Sequence, residues 1–146
     1  MASETQNMLE AHEIWNMSVD FMIKTSIARA LQNLPDGYSD RLVSRNLPFQ
    51  DNKFASALSV YAPTLQAEIS LMEVFHRDLH NLLQQVDSKD KLLIIGDFNA
   101  RVGRNFELCS GVAGRQGIGN CYDDGRLLLE FCYEYQIFIT NTLLRQ

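Results

Sequence analysis

A mixed α/β domain is the fold class that this sequence predicts, and three stretches predict it. Two β-patterned runs near residues 41–47 and 53–61 flank the polar Gln50-Asp51-Asn52 and read as an antiparallel hairpin. Ile69, Met72, Phe75, Leu79, Leu82, Leu83 and Val86 recur at three- and four-residue spacing, which puts one apolar stripe of a helix against a core. Leu92-Leu93-Ile94-Ile95 is a short continuous apolar run ending at Gly96, the pattern of a central strand buried on both faces.

At 146 residues the chain is long enough for one domain with a single core and too short for two ordinary ones. Hydrophobic residues make up 46% and charged residues 21%, a globular balance and not that of a disordered tail. No apolar run approaches the roughly 20 residues that span a bilayer, and Met1 to Glu10 lacks a basic segment followed by an apolar one. The expectation is an intracellular protein without a membrane partner, with nucleus and cytoplasm both open. Cys109, Cys121 and Cys132 match no zinc or redox spacing and are expected to be reduced thiols. Of the formal charge of −5, Glu4, Glu10, Glu13 and Asp20 contribute −4, so residues 21–146 carry −1. Net charge therefore neither supports nor excludes nucleic-acid binding.

The remaining elements follow in order. Residues 1–16 are polar and acidic with irregular apolar positions. Val19, Phe21 and Ile23 alternate with polar neighbours as in a half-buried strand. Pro35-Asp36-Gly37 predicts a turn. Pro63 stops the second hairpin strand, and Thr64 is placed to cap the helix beyond it. Asp87-Ser88-Lys89-Asp90 is a polar break. Residues 96–125 hold seven of the eight glycines and show no period, which predicts a long, functional or mobile loop region. A second helix is expected over 124–135 with Leu128, Phe131 and Tyr135 on its inner side, then a last strand at 137–140.

The chemistry points to one corner of this pattern. Asp97 follows the apolar run directly, and polar side chains at strand ends of such sheets open onto a ligand crevice. Asp97 and Asn99 are two apart, so in an extended stretch both would project to one face. A carboxylate there can take a proton from an attacking water, and a carboxamide can donate to an oxygen gaining negative charge. The same four residues, Gly96-Asp97-Phe98-Asn99, also suit a plain strand-to-loop turn.

Several segments in order decide between those readings. Ser59-Val60-Tyr61-Ala62-Pro63-Thr64, Leu93-Ile94-Ile95-Gly96-Asp97-Phe98-Asn99-Ala100-Arg101-Val102-Gly103, Gly114-Arg115-Gln116-Gly117-Ile118-Gly119-Asn120, the run from Gly125 to Cys132, and Ile139-Thr140-Asn141-Thr142 all take part. Together they resemble the endonuclease/exonuclease/phosphatase superfamily, in its non-LTR retrotransposon and craniofacial development protein 2-like group, over residues 19–146. Residues 1–18 resemble none of it. The resemblance implies a partial four-layer α/β sandwich of the DNase I-like type that hydrolyses phosphodiesters in DNA with Mg²⁺. It makes Asp97 the water-activating base, Asn99 its phosphate-positioning companion and Tyr61 a contact to the scissile phosphate. Arg101, Arg115 and Asn141 become candidate DNA contacts, and no metal ligand is assigned. Relatives carry an upstream Asn, an upstream metal-ligand Glu and a terminal Ser-Asp-His that find no match here, and Asp20 stands where the group has Gly. The expectation is weak metal binding, little cleavage by this chain alone, and an exposed sheet edge that invites self-association.

Three classes of function stay open at this level: a Mg²⁺-dependent DNA-nicking enzyme, a non-catalytic binding or interaction module, and a small-molecule phosphatase of the same superfamily. His76 and His80 are four apart as in helical zinc sites, but no Glu or Cys completes a set. Gly117-Ile118-Gly119 does not leave a strand and enter a helix as a dinucleotide loop must. Arg104 and Arg126 join Arg101 and Arg115 around the glycine-rich region, where they could meet phosphates or simply be solvated.

Overall fold

The structure, a computed structural model, describes residues 36–48, 53–104 and 111–143. The β-pattern at Val19–Ile23 and the hairpin loop at Gln50-Asp51-Asn52 lie outside the described residues, as does Cys109. Length alone predicts one core, and the described residues gather into two compact units. Of the described residues, the first comprises 36–48, 53–62 and 68–97, the second 63–67, 98–104 and 111–143.

The first unit is a four-stranded sheet and a helix. Strands β1 (Asp36–Ser39), β2 (Leu42–Pro48), β3 (Phe54–Tyr61) and β4 (Lys91–Asp97) stand in the order β1-β2-β3-β4. The expected hairpin is present as β2 antiparallel to β3, in a register running from Leu42 opposite Val60 to Pro48 opposite Phe54. Inside it the Ser56 hydroxyl donates to Asn46 Oδ1 at 3.0 Å, so a buried polar side chain is satisfied across the strands.

Asp36-Gly37 is not a turn but part of β1, which pairs with β2 through an irregularity between Gly37 and Ser39. A glycine beside a bulge tolerates that distortion, and the chain reverses instead at Asp40-Arg41.

Helix α1 (Ile69–Gln84) carries the chain from β3 to the parallel β4. Thr64 does not cap it. The N-cap is Glu68, whose side chain makes no capping bond, while the Thr64 carbonyl accepts from Ala67 N–H in a separate turn. Phe75, Leu79, Leu82 and Leu83 form the buried stripe as expected. Ile69 departs from it at 75% exposed, since the first helical position lies a full turn beyond the buried residues. The polar break folds as a turn, with Asp90 N–H bonded to Asp87 O and Lys89 N–H to Asp87 Oδ1. Asp90 Oδ1 then accepts from Phe54 N–H at 3.1 Å, fixing the start of β3 beside that turn.

β4 corrects the expectation of burial on both faces. It pairs only with β3 among the described strands, and its exposure alternates: Leu93 is 49% and Ile95 52% exposed. A continuous apolar run does not distinguish a central strand from an edge strand with one apolar face in solvent. The doubly covered strand is β3, where Ser56 to Val60 are all buried.

The second unit packs helix α2 (Asp123–Glu134) on a core of Val112, Ala113, Leu129 and Cys132. Its central inward residues are Gly125, Leu129 and Cys132, whereas Leu128, Phe131 and Tyr135 stand only partly buried beside them. The expected strand at 137–140 is reduced to one bridge, Ile139 with Ala113, followed by a 3-10 turn at Thr140–Thr142. Thr142 accounts for this. Its hydroxyl accepts from Gly114 N–H at 2.6 Å and donates to Ile139 O, and its carbonyl accepts from Gln116 N–H, so side-chain bonds replace a ladder.

Two outcomes follow from these packings. Leu58, 1% exposed in β3, should lose about 2–5 kcal/mol of stability on substitution by Ala, whereas Leu93→Ala should lose less than about 1 kcal/mol. Urea denaturation of the two variants measures the difference, and equal losses would contradict the edge position of β4. Burial pushes the Cys132 thiol up to about 11. The unfolded thiol ionises first, so the stability held by the neutral buried form is complete below the ordinary thiol range and is lost as pH rises toward 11. Urea midpoints taken from pH about 8 to about 11 should fall more steeply for the wild type than for Cys132→Ala.

Candidate functional site

The parallel register of β3 and β4 ends with Tyr61 directly opposite Asp97. Both strands finish at the same end of the sheet, and the Ala62 N–H, the first beyond β3, donates to Asp97 O at 2.9 Å. In-register residues of neighbouring strands share a face, so phenol and carboxylate stand side by side at a strand end. Tyr61 is 39% exposed and Asp97 is exposed. The phenol is therefore not a core aromatic, and both groups are open to a solvent-borne ligand.

Gly96 makes this closeness possible. A Cβ at that position would meet the Val60 carbonyl oxygen at 1.9 Å, and its φ of +144° is one that residues with side chains rarely adopt. The residue before Asp97 therefore has to be glycine if the two strands are to stay paired to their last residue.

Asn99 behaves differently. Its φ is +48°, so the extended alternation on which a shared face with Asp97 was expected stops at Asp97. Asn tolerates this left-handed conformation better than most residues because its short amide can bond locally. Asn99 also belongs to the second unit, where it is half-buried, while Asp97 and Tyr61 belong to the first.

The three candidate DNA contacts all lie in the second unit. Arg101 is exposed and lays its guanidinium over the Tyr122 ring, 5.3 Å from the centroid, while its carbonyl accepts from Tyr122 N–H. Gly125 lies so close beneath that a Cβ would meet Arg101 O at 1.9 Å, which ties the start of α2 to this loop. Arg115 and Asn141 are exposed on two segments that Thr142 fastens together through Gly114 and Gln116. Arg104 is held locally, its Nε donating to Gly117 O at 2.6 Å.

One residue at the strand ends escaped the sequence reading. Arg41 sits one position before β2 and opposite Tyr61. Its carbonyl accepts from Tyr61 N–H at 3.0 Å, its Nη1 donates to Tyr61 O at 3.3 Å, and its guanidinium covers the phenol ring at 5.4 Å. The signal for it lay in the hairpin itself, where the first residue of one run falls opposite the last of the other.

No group of three or more His, Cys, Asp or Glu side chains able to hold a metal stands among the described residues. His76 has its ionisation pushed down by burial, which favours a neutral imidazole packed edge-on against Phe75. Cys121 and Cys132 are free thiols. No helix among the described residues is long and apolar enough to cross a membrane.

Comparison with known proteins gives a sequence relationship and no structural one. The chain is 41% identical over 109 residues to craniofacial development protein 2 of Bos taurus and 39% identical over 109 residues to the same-named protein of Tragulus javanicus. Each match spans 74% of this chain and 18% of the relative, so the chain covers under a fifth of the proteins it matches. No protein-family model and no solved structure matches the chain.

Replacing Gly96 by Ala should destabilise the protein by about 2–4 kcal/mol, since strained backbone and a clash with Val60 act together. Chemical denaturation reads this directly, and a neutral effect would show that the β3–β4 register at Tyr61 and Asp97 is wrong.

Proposed function

We propose that this chain carries the phosphodiester-engaging part of a DNA endonuclease-like domain of the endonuclease/exonuclease/phosphatase type. The observation that carries the reading is the in-register juxtaposition of Tyr61 and Asp97 at the C-terminal ends of two parallel strands, both open to solvent. Strand ends of such sheets are where ligands bind. The relationship to craniofacial development protein 2 supports the same group of proteins that the motifs resemble.

In this reading a phosphate oxygen of DNA accepts from the Tyr61 hydroxyl, and the Asp97 carboxylate accepts the proton of a water aligned on phosphorus. The Asn99 amide, in the second unit, is a further candidate donor to a DNA phosphate. Arg101, Arg115 and Asn141, in the second unit, are candidate contacts to the DNA backbone, since positive and amide groups there fix position without reading sequence.

Mg²⁺ would supply charge neutralisation at the phosphate and a more acidic water. The described residues do not fit it as they stand: Mg²⁺ needs near-octahedral oxygen ligation, usually with one or two carboxylates beside phosphate and water, and Asp97 belongs to no metal-holding cluster. No step is therefore assigned to the metal. The same observation favours a second reading, a binding module that engages DNA without cutting it.

The 146-residue chain is accordingly expected to bind short duplex DNA with a strong salt dependence and to leave supercoiled plasmid intact in Mg²⁺ or Mn²⁺. Tyr61→Phe should weaken binding about fivefold, the order expected for one hydrogen bond. Fluorescence anisotropy and a plasmid-nicking assay measure the two effects. Nicking that chelation abolishes and Asp97→Ala removes would show a complete site and overturn the binding-only form. Duplex affinity indifferent to Tyr61 and to salt would overturn the DNA reading itself.

A further inference from the structure

We propose that Arg41 is the positioning residue for Tyr61, holding the phenol at the strand end beside Asp97. Three separate contacts converge on that one residue. The backbone pair Tyr61 N–H to Arg41 O closes the β2–β3 ladder one position past its last assigned pair. The side chain then turns back, donating from Nη1 to the Tyr61 carbonyl and covering the ring with the guanidinium plane. A planar guanidinium can do both at once, because its donors lie in the plane while its face meets the π-cloud.

The same arrangement is paid for at one atom. Arg41 Nε is buried and has no hydrogen-bond partner, an unfavourable state for a strong donor. A surface arginine free to choose its conformation would turn that donor to water. That Arg41 does not, while packed on Tyr61, indicates that the ring contact and the strand-end bond decide its conformation. Ser39 Oγ fixes the same residue from the other side by accepting from Arg41 N–H at 3.3 Å, so the turn between β1 and β2 is also built around it.

The functional consequence rests on the proposed phosphodiester reading. A tyrosine that is 39% exposed at a strand end would otherwise sample several rotamers, and a hydrogen bond to phosphate would then carry the entropy of ordering it. Arg41 removes that freedom beforehand and leaves the hydroxyl to the ligand.

The test separates placement from binding. With 3-fluorotyrosine replacing the five tyrosines, the Tyr61 signal is assigned by its loss in Tyr61→Phe. Arg41→Met is expected to move that ¹⁹F resonance toward the free-tyrosine position while the other four stay in place. Arg41→Lys, which keeps the charge and the fold, is expected to move it in the same direction, because an ammonium cannot cover the ring and reach the carbonyl in one geometry. An unchanged Tyr61 resonance in Arg41→Lys, or in a folded Arg41→Met, overturns the proposal. On duplex DNA, Arg41→Lys and Tyr61→Phe should each weaken binding about fivefold, and the double variant little more than either alone. Losses that multiply would show Arg41 acting independently of Tyr61 and would also overturn it. If the wild type binds no DNA, the phosphodiester reading fails, and the fluorine spectrum still decides the role of Arg41.

Discussion

β3 is hydrogen-bonded along its whole length on both sides, antiparallel to β2 and parallel to β4, and the rest of the first unit is arranged by those two ladders. Within β3, Ser56 to Val60 are all buried, so both faces of this doubly paired strand are covered. The pairing brings three chain segments to one end of the sheet: the β1–β2 turn at Arg41, the end of β3 at Tyr61 and the end of β4 at Asp97. The three backbone positions arrive there by register. Backbone register does the placing, and Gly96 permits the last parallel pair because it has no Cβ to strike Val60.

The second unit reaches order by another route. It has no ladder longer than a single bridge among the described residues, so its backbone polar groups are satisfied by local side chains and by close approach of segments. Thr142 takes part in bonds to Gly114, Gln116 and Ile139, and Gly125 lets the first turn of α2 lie against the carbonyl of Arg101. The abundance of glycine between 96 and 125 thus serves packing at least as much as mobility. This is also why the β-rich Ile137-Phe138-Ile139 did not become a strand: only Ile139 finds a partner, and the chain then bends into the turn that Thr142 needs.

What the sequence disclosed divides along the same physical line. Patterns set by local spacing were legible: the hairpin, the α1 stripe at Phe75, Leu79, Leu82 and Leu83, and the second helix to within a residue. Properties that depend on which elements are neighbours were not. Leu92 to Ile95 reads the same whether one face of the strand is covered or both, and only the packing shows that Leu93 and Ile95 stand exposed. Thr64 is a good capping residue by type, yet the helix starts five positions later because 64–67 close a turn of their own. In the candidate site, Tyr61 and Asp97 were found by motif and meet by register. Asn99 was found by motif too, but its left-handed backbone could not be read from a two-residue spacing. No motif contains Arg41, although the hairpin register places it opposite Tyr61.

Two layers of this site are therefore separable. On the proposed reading, holding a phosphodiester would need donors at fixed positions, and backbone pairing together with Arg41 packed on Tyr61 would supply them. Cleaving it would further need charge neutralisation at phosphorus, which a carboxylate such as Asp97 cannot itself supply because it adds negative charge where a cation is required. On that reading, substitutions that spare the strand register would alter chemistry without disturbing the strand-end geometry. The converse does not hold: losing Gly96 or the β3–β4 pairing would separate Tyr61 from Asp97. On the proposed reading, the strand-end geometry is therefore the prior condition for any chemistry at this site.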